Sequence, residues 1–481
     1  MSILTTLRKN FSHAPTPDQD KLFILLEKFL SDTNPRCAFV LKGYAGTGKT
    51  STVIALTNSL EKLSLKVFLL APTGRAAKVL KNYTNLKTST IHRHIYEPKL
   101  NTNTGAYRFQ LQRNESSNTL YVVDESSMIA GSADFGGRNL LKDLIDYVFT
   151  GQGNKLLLIG DTAQLPPVQQ ELSPALNVNY LGDNYDLKIY ETELKTVVRQ
   201  ANDSGILHNA TTIRNVISGF NPAQIPTLRT SGFPDIYRMS GDRISDGLDY
   251  AYKKYGRENV AVITRSNKRA NGYNRNIRQH VFYLEDEITT GDLVMVVKNN
   301  YFWLEPEHEA GFIANGDIAE IMKIRNEEEK YGFRFATARL RLVDYPDTEP
   351  FEAMINLDTL RTETPALSNE QVTKLMNQIM LDHNGPDPAK KNNSRKILDE
   401  DPYFNALQIK FAYAITCHKA QGGQWKLVFI DPGYLSDERF DKGLNRWFYT
   451  AVTRAINELY LVNFPDIFFM QRNPVEVPDI Y

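Results

Sequence analysis

Cysteine is nearly missing: Cys37 and Cys417 are the only two in 481 residues. Two thiols cannot build a disulfide framework, a four-cysteine zinc site or an iron–sulfur cluster, and such scarcity suits a reducing compartment. No apolar run approaches the length of about eighteen residues that a membrane-crossing helix needs. The opening MSILTTLRKNFSHAP has neither the apolar core nor the small-residue cleavage site of a secretory signal. The expectation is a cytoplasmic chain with no membrane partner. Charge of one sign is also lacking: Lys plus Arg and Asp plus Glu each total 56. That balance excludes a histone-like polycation but leaves room for a locally positive groove.

What is present is an ordinary globular composition, 42% apolar and 23% charged, in a chain long enough for more than one core. Short apolar runs at 37–41 (CAFVL), 66–71 (KVFLLA), 120–123 (LYVV) and 156–159 (LLLI) alternate with helical stretches. Strands apolar on both faces, separated by helices, predict a parallel sheet covered on both sides. A second set follows at 260–264, 412–416, 427–430 and 459–462. It is interrupted by a stretch of different texture, about 288–400, whose alternating patterns at 292–297 and 333–343 predict small antiparallel strands. Within it, Ser368 and Gln371 are spaced as a capping box for a helix over 368–381, and 383–396 reads as a polar loop. The fold class expected is α/β: two α/β domains with a β-rich insertion in the second.

The strongest local signal is GYAGTGKT at 43–50, which fits the phosphate-loop pattern at every fixed position and lies between a strand and a helix. Gly43, Gly46 and Gly48 let the backbone turn tightly, and the N–H groups of Ala45, Thr47 and their neighbours can then face phosphate oxygens. Lys49 supplies a point charge to the β- and γ-phosphates. The Thr50 hydroxyl, ahead of Ser51, is placed for Mg2+. Downstream, LYVV ends in Asp124 and Glu125. Asp124 would hold Mg2+ through water, and Glu125 would orient or deprotonate the attacking water. Two solvated acids at a strand end is the bland alternative. Hydrolysis of a nucleoside triphosphate, ATP with Mg2+, is the expected chemistry.

From about residue 16 to 463 the sequence resembles a superfamily 1 helicase of the B-type, the RecD-like and phage Dda-like group, through an ordered series of motifs. TPDQ at 16–19 resembles the adenine-reading Q motif, with Gln19 the reader. APTGRAAK at 71–78 and STIH at 89–92 resemble the single-strand-contacting motifs Ia and Ib, which implicates Pro72, Thr73, Arg75, Thr90 and His92. LIGDTAQLPP at 158–167 matches motif III, where Gln164 would sense the γ-phosphate. ELKTVVR at 193–199 resembles motif IV with Arg199 on phosphate. Val198 stands where A-type relatives carry a stacking aromatic, which favours the B-type. TRSN at 264–267 matches a DNA-contacting loop with Thr264 and Asn267. AITCHKAQG at 414–422 matches motif V, implicating Thr416 and His418 on DNA and Gly422 at the nucleotide. WFYTAVTRA at 447–455 matches motif VI, with Arg454 as arginine finger.

The resemblance implies two RecA-like motor domains facing each other across one ATP. They would span 1–200, with a hairpin insertion at 97–118, and 201–287 plus 401–481, with an SH3-like insertion at 288–400. It implies single-stranded DNA and single/double-strand junctions as partners, 5′→3′ polarity, and function as a monomer. A good turn at 101–105 followed by Tyr107 and Phe109, which share a strand face, resembles the family's strand-separating pin. An ordinary surface hairpin stays open beside it, as does mere scaffolding for the insertion. Two other functions also stay open: a translocase that strips proteins without unwinding, and a non-enzymatic DNA-binding protein.

Overall fold

The computed structural model describes residues 2–62, 65–100, 107–131, 138–198, 203–305, 308–384, 394–435 and 440–469. The apolar run after Arg36 becomes the strand Cys37–Gly43, whose side chains alternate between two cores. Phe39 and Leu41 pack with Leu22, Phe29 and Leu56 on one face. Ala38 and Val40 pack with Tyr121, Leu144 and Leu158 on the other. A strand buried on both sides must be central. It is flanked by Lys155–Gly160 and Lys188–Leu194 in a six-stranded sheet that continues through Thr119–Val123 and Lys66–Ala71 to Thr88–Thr90. Every neighbouring pair is parallel.

The second sheet orders Ala414–Thr416, Val260–Thr264, Trp425–Asp431, Ala455–Val462 and Ile236–Met239, again all parallel. The two parallel sheets give the α/β class expected. Between them in sequence, Leu293–Val296, Ile318–Lys330, Phe333–Leu342, Phe351–Asn356 and Leu407–Phe411 close into a five-stranded barrel. Closure leaves no free sheet edge. The fifth strand lies beyond residue 400, the boundary expected for the insertion; its pairing with Leu293–Val296 completes the ring. The capping box forms as the spacing predicts. The Ser368 N–H donates to Gln371 Oε1 (2.9 Å), the Gln371 N–H donates to Ser368 Oγ (3.2 Å), and the helix Asn369–Asn384 follows.

A hairpin projects from the first sheet's domain, pairing Tyr96–Leu100 with Tyr107–Leu111 from Tyr96↔Leu111 to Leu100↔Tyr107. Its turn at 101–106 and the side chains of Tyr107 and Phe109 lie outside the described residues. The barrel rests on the same domain. Lys78 Nζ donates to Val343 O (2.6 Å), and the His92 and Phe312 rings meet edge to face at 5.7 Å.

Candidate nucleotide site and nucleic-acid face

Parallel sheets place their functional loops at the carboxyl ends of the strands. In the first sheet those ends carry the phosphate loop after Gly43, Asp124 after Val123 and Asp161 after Gly160. The loop enters the helix Lys49–Lys62. Gly46 and Gly48 take φ of 76° and 89°, where a side chain would be strained. Lys49 Nζ donates to Gly43 O (2.6 Å) and Tyr44 O (2.9 Å), so its ammonium is held inside its own loop by carbonyls that a phosphate could replace. Thr50 and Ser51 sit half-buried in the first turn of that helix.

Asp124 faces Lys49 and Glu125. Burial, reinforced by the Glu125 charge and opposed by Lys49, pushes its carboxyl up to about 6. The Lys49 charge thus compensates that carboxyl only in part. A carboxylate and the Thr50 hydroxyl are both oxygen donors, the chemistry that Mg2+ prefers. Glu125 has φ of 51°, left-handed for a residue with a bulky side chain. Such a conformation costs of order 1–3 kcal/mol and clusters at functional sites. Gln164 is buried, and its Oε1 finds no hydrogen-bond partner among the described residues.

Segments remote in sequence converge on this loop. Val198 N–H donates to Gly46 O (2.9 Å), and a Cβ on Gly46 would meet Val197 at 3.2 Å and Leu207 at 3.3 Å. The Arg214 guanidinium lies 4.7 Å over the Tyr44 ring, and the Tyr44 hydroxyl donates to Glu193 Oε1 (2.7 Å). From the helix Lys442–Val452, the Tyr449 hydroxyl accepts the Ala45 N–H (2.8 Å) and donates to Asp161 Oδ2 (2.7 Å). Leu165 is gripped at both backbone atoms. Its N–H donates to Thr450 Oγ1 (2.9 Å), and its carbonyl accepts from Gln421 Nε2 (2.6 Å). Tyr44, Arg214, Gln421, Tyr449 and Thr450 were not singled out from the sequence. Tyr449, Thr450 and Gln421 lie inside recognised motifs, but their partners are hundreds of positions away.

Four expected residues are placed differently. The Gln19 carboxamide has both ends engaged, Oε1 accepting the Thr16 N–H (2.9 Å) and Nε2 donating to Thr47 O (3.0 Å). It therefore braces the phosphate loop, with one amide hydrogen and one oxygen lone pair already used. Gly422, expected at the nucleotide, packs closely where the sheets meet: a Cβ there would meet Ala76 at 3.0 Å and both Met128 Sδ and Thr73 Oγ1 at 3.3 Å. Arg75, expected on DNA, lies 4.0 Å over the Trp425 ring and donates to Gln424 O (3.3 Å), joining the two parallel-sheet domains. Arg454 is buried and donates to Thr450 O (2.9 Å), Gly423 O (3.1 Å) and Thr453 Oγ1 (3.1 Å), so in this conformation it ties helix to loop and is no free finger. Arg199 lies outside the described residues.

The remaining nucleic-acid candidates gather at strand ends and helix starts. Pro72 follows Lys66–Ala71, and the Thr73 and Thr90 hydroxyls cap their helices by accepting the Ala76 and Arg93 N–H groups. Thr264 and Thr416 pair at the ends of adjacent strands. Asn267 and Thr416 line one small cavity with Lys410 and Lys419, whose ammonium groups burial brings down to about 8. Lys419 also donates to Asn315 of the barrel turn, and His418 is exposed. His94 is partly buried among aromatic rings: its ring lies 4.5 Å from Phe68 and 5.7 Å from both Tyr121 and Tyr147, and burial lowers it to about 4.

Comparison with known proteins finds an AAA domain over residues 25–230 and a UvrD-like helicase C-terminal domain over 411–462. The ATP-dependent RecD2 DNA helicase of Deinococcus radiodurans is 36% identical over 171 residues, 35% of this chain and 21% of that protein. An uncharacterized protein of Acanthamoeba polyphaga mimivirus is 23% identical over 493 residues, with 89% of this chain and 95% of that one covered. Among solved structures, the Pif1 helicase from Bacteroides with ADP-AlF3 and single-stranded DNA is 14% identical, with 96% and 95% covered and a TM-score of 0.45. No helix among the described residues is long and apolar enough to cross a membrane.

Proposed function

We propose that this chain, with an AAA domain and a UvrD-like helicase C-terminal domain in that order, is a superfamily 1 helicase, an ATP-driven motor that moves 5′→3′ on single-stranded DNA and unwinds duplex, acting as a monomer. The observation that carries this reading is the convergence of the second sheet on the first sheet's phosphate loop, Tyr449 on Ala45 and Thr450 with Gln421 on Leu165. A nucleotide seated in that loop changes contacts that span both domains, which is what a motor requires.

Each residue has a task in this reading. Lys49 exchanges its two carbonyls for phosphate oxygens. Thr50 and Asp124 hold Mg2+, which supplies charge neutralisation on the phosphates. Glu125 accepts a proton from water attacking the γ-phosphate, and the unpartnered amide oxygen of Gln164 gives that region an acceptor. Opening and closing of the cleft would change the spacing between Thr73 and Thr90 on one domain and Thr264, Asn267, Thr416 and His418 on the other. Alternating grip on phosphates and sugars then advances the strand.

Duplexes with a 5′ or a 3′ single-stranded tail test the proposal. Opening of the 5′-tailed substrate alone, dependent on ATP, is the expected result. Preference for the 3′ tail would reverse the polarity, and DNA-stimulated ATPase without strand separation would reduce the protein to a translocase.

A further inference from the structure

Tyr449 is buried at the point where both sheets meet the phosphate loop, only 1% exposed. Its phenol donates to Asp161 Oδ2 and accepts the Ala45 N–H. The Ala163 N–H also binds Asp161, at 2.9 Å from Oδ1, so the carboxylate is fixed and in turn fixes the phenol. Ala45 belongs to the loop whose backbone N–H groups are the donors a polyphosphate takes up. A single N–H cannot make one full-strength bond to a phenol oxygen and another to a phosphate oxygen.

We propose that Tyr449 is a positioning residue that competes with the nucleotide for the Ala45 N–H, so that nucleotide entry frees the helix Lys442–Val452 from the phosphate loop. The inference deepens the motor reading and rests on it. The far end of the same helix explains what the release would move. Thr450, the next residue, holds the Leu165 N–H. Arg454, just past the helix, bridges Thr450 O to Gly423 O, and Gly422 packs against Thr73 and Ala76. Displacing Tyr449 therefore shifts a rod whose other contacts lie beside the DNA candidate Thr73. Linkage makes the effect reciprocal: DNA that favours the released helix tightens nucleotide, and nucleotide tightens DNA.

Tyr449→Phe removes the hydroxyl and keeps the ring. The dissociation constant for a non-hydrolysable ATP analogue, measured without DNA, should fall about fivefold, the scale of one net hydrogen bond. The KM for ATP should fall with it while kcat at saturating DNA changes less. A nucleotide affinity that is unchanged or weaker overturns the proposal, since a purely structural hydroxyl would lower thermal stability without tightening the ligand. Because Phe leaves Asp161 without its phenol donor, the double variant Tyr449→Phe with Asp161→Asn is measured alongside and judged by the same criterion if the single variant does not fold. Failure of the unaltered chain to show DNA-stimulated ATPase would instead sink the motor reading, and the nucleotide measurement would still decide the competition at Ala45.

Discussion

In the proposed motor Lys49 and Glu125 act through single atoms, so their substitutions should separate binding from chemistry. Lys49→Ala removes the ammonium now held by Gly43 O and Tyr44 O, so turnover should vanish and nucleotide affinity should drop. Glu125→Gln keeps the side-chain volume but removes the base. A rate loss of at least about 10²-fold with nucleotide binding retained is expected. Single-turnover hydrolysis beside equilibrium nucleotide binding checks both, and near-normal turnover in Glu125→Gln would dismiss the assignment. Arg454 gives a sharper test because the structure shows it buried in three hydrogen bonds. Arg454→Ala should lower the melting temperature as well as ATPase. Lost turnover with unchanged melting would mean that the guanidinium leaves its present partners to serve as a finger.

At this scale the sequence was most legible where function needs contiguous residues. GYAGTGKT and the Asp124–Glu125 pair could be read because a phosphate loop and a strand-end acid pair are local objects. The contacts of Arg75 could not be read, since Gln424 and Trp425 come about 350 positions later and only packing brings them together. The brace that Gln19 makes was hidden for a related reason. Its neighbour Thr16 was visible as a cap, but its bond to Thr47 is not encoded in any spacing.

Secondary-structure elements carry the next set of expectations. The hairpin Tyr96–Leu100 with Tyr107–Leu111 leaves the first motor domain between His92 and Asp124 and contributes no strand to the main sheet. Shortening residues 101–110 to a tight turn should leave single-strand-stimulated ATPase near normal and abolish unwinding of a tailed duplex. Opening a duplex takes about 1.4 kcal/mol per base-pair step on average, so a motor without a wedge only pulls. Unwinding at the normal rate would move the wedge to another element, most directly the barrel. The helix Asn369–Asn384 was legible because its cap is local, Ser368 bonding Gln371 in both directions. The barrel's fifth strand, Leu407–Phe411, was not, because five apolar-rich residues look alike whether they join a parallel sheet or close a ring.

The whole molecule answers to pH through its buried groups. His94 sits among Phe68, Tyr121 and Tyr147 with its imidazole brought down to about 4 by burial. The unfolded chain protonates it near pH 6.5 while the folded chain does not, so this contribution to stability is intact above pH 6.5 and lost as pH falls toward 4. Urea unfolding at pH 6.5 and pH 5 should show a loss of about 1–2 kcal/mol that His94→Gln reduces. Equal pH sensitivity in the variant would assign the loss to other groups.

Only Ala412 and Tyr413 separate the barrel strand Leu407–Phe411 from Ala414–Thr416 of the second sheet. Tyr413 stiffens that joint, its hydroxyl donating to Asp292 Oδ1 and accepting the Leu293 N–H at the barrel's entry strand. Asp292 also accepts from Arg278 on the sheet side. The barrel is thus welded to one motor half, while its hold on the other rests on contacts such as Lys78 with Val343. Rotation at the cleft, if the proposed motor makes it, would therefore carry the barrel along with that half. In mechanical terms the proposed motor would use the barrel as a crank, carrying any rotation of the half it is welded to out to the face where His92 and Phe312 meet.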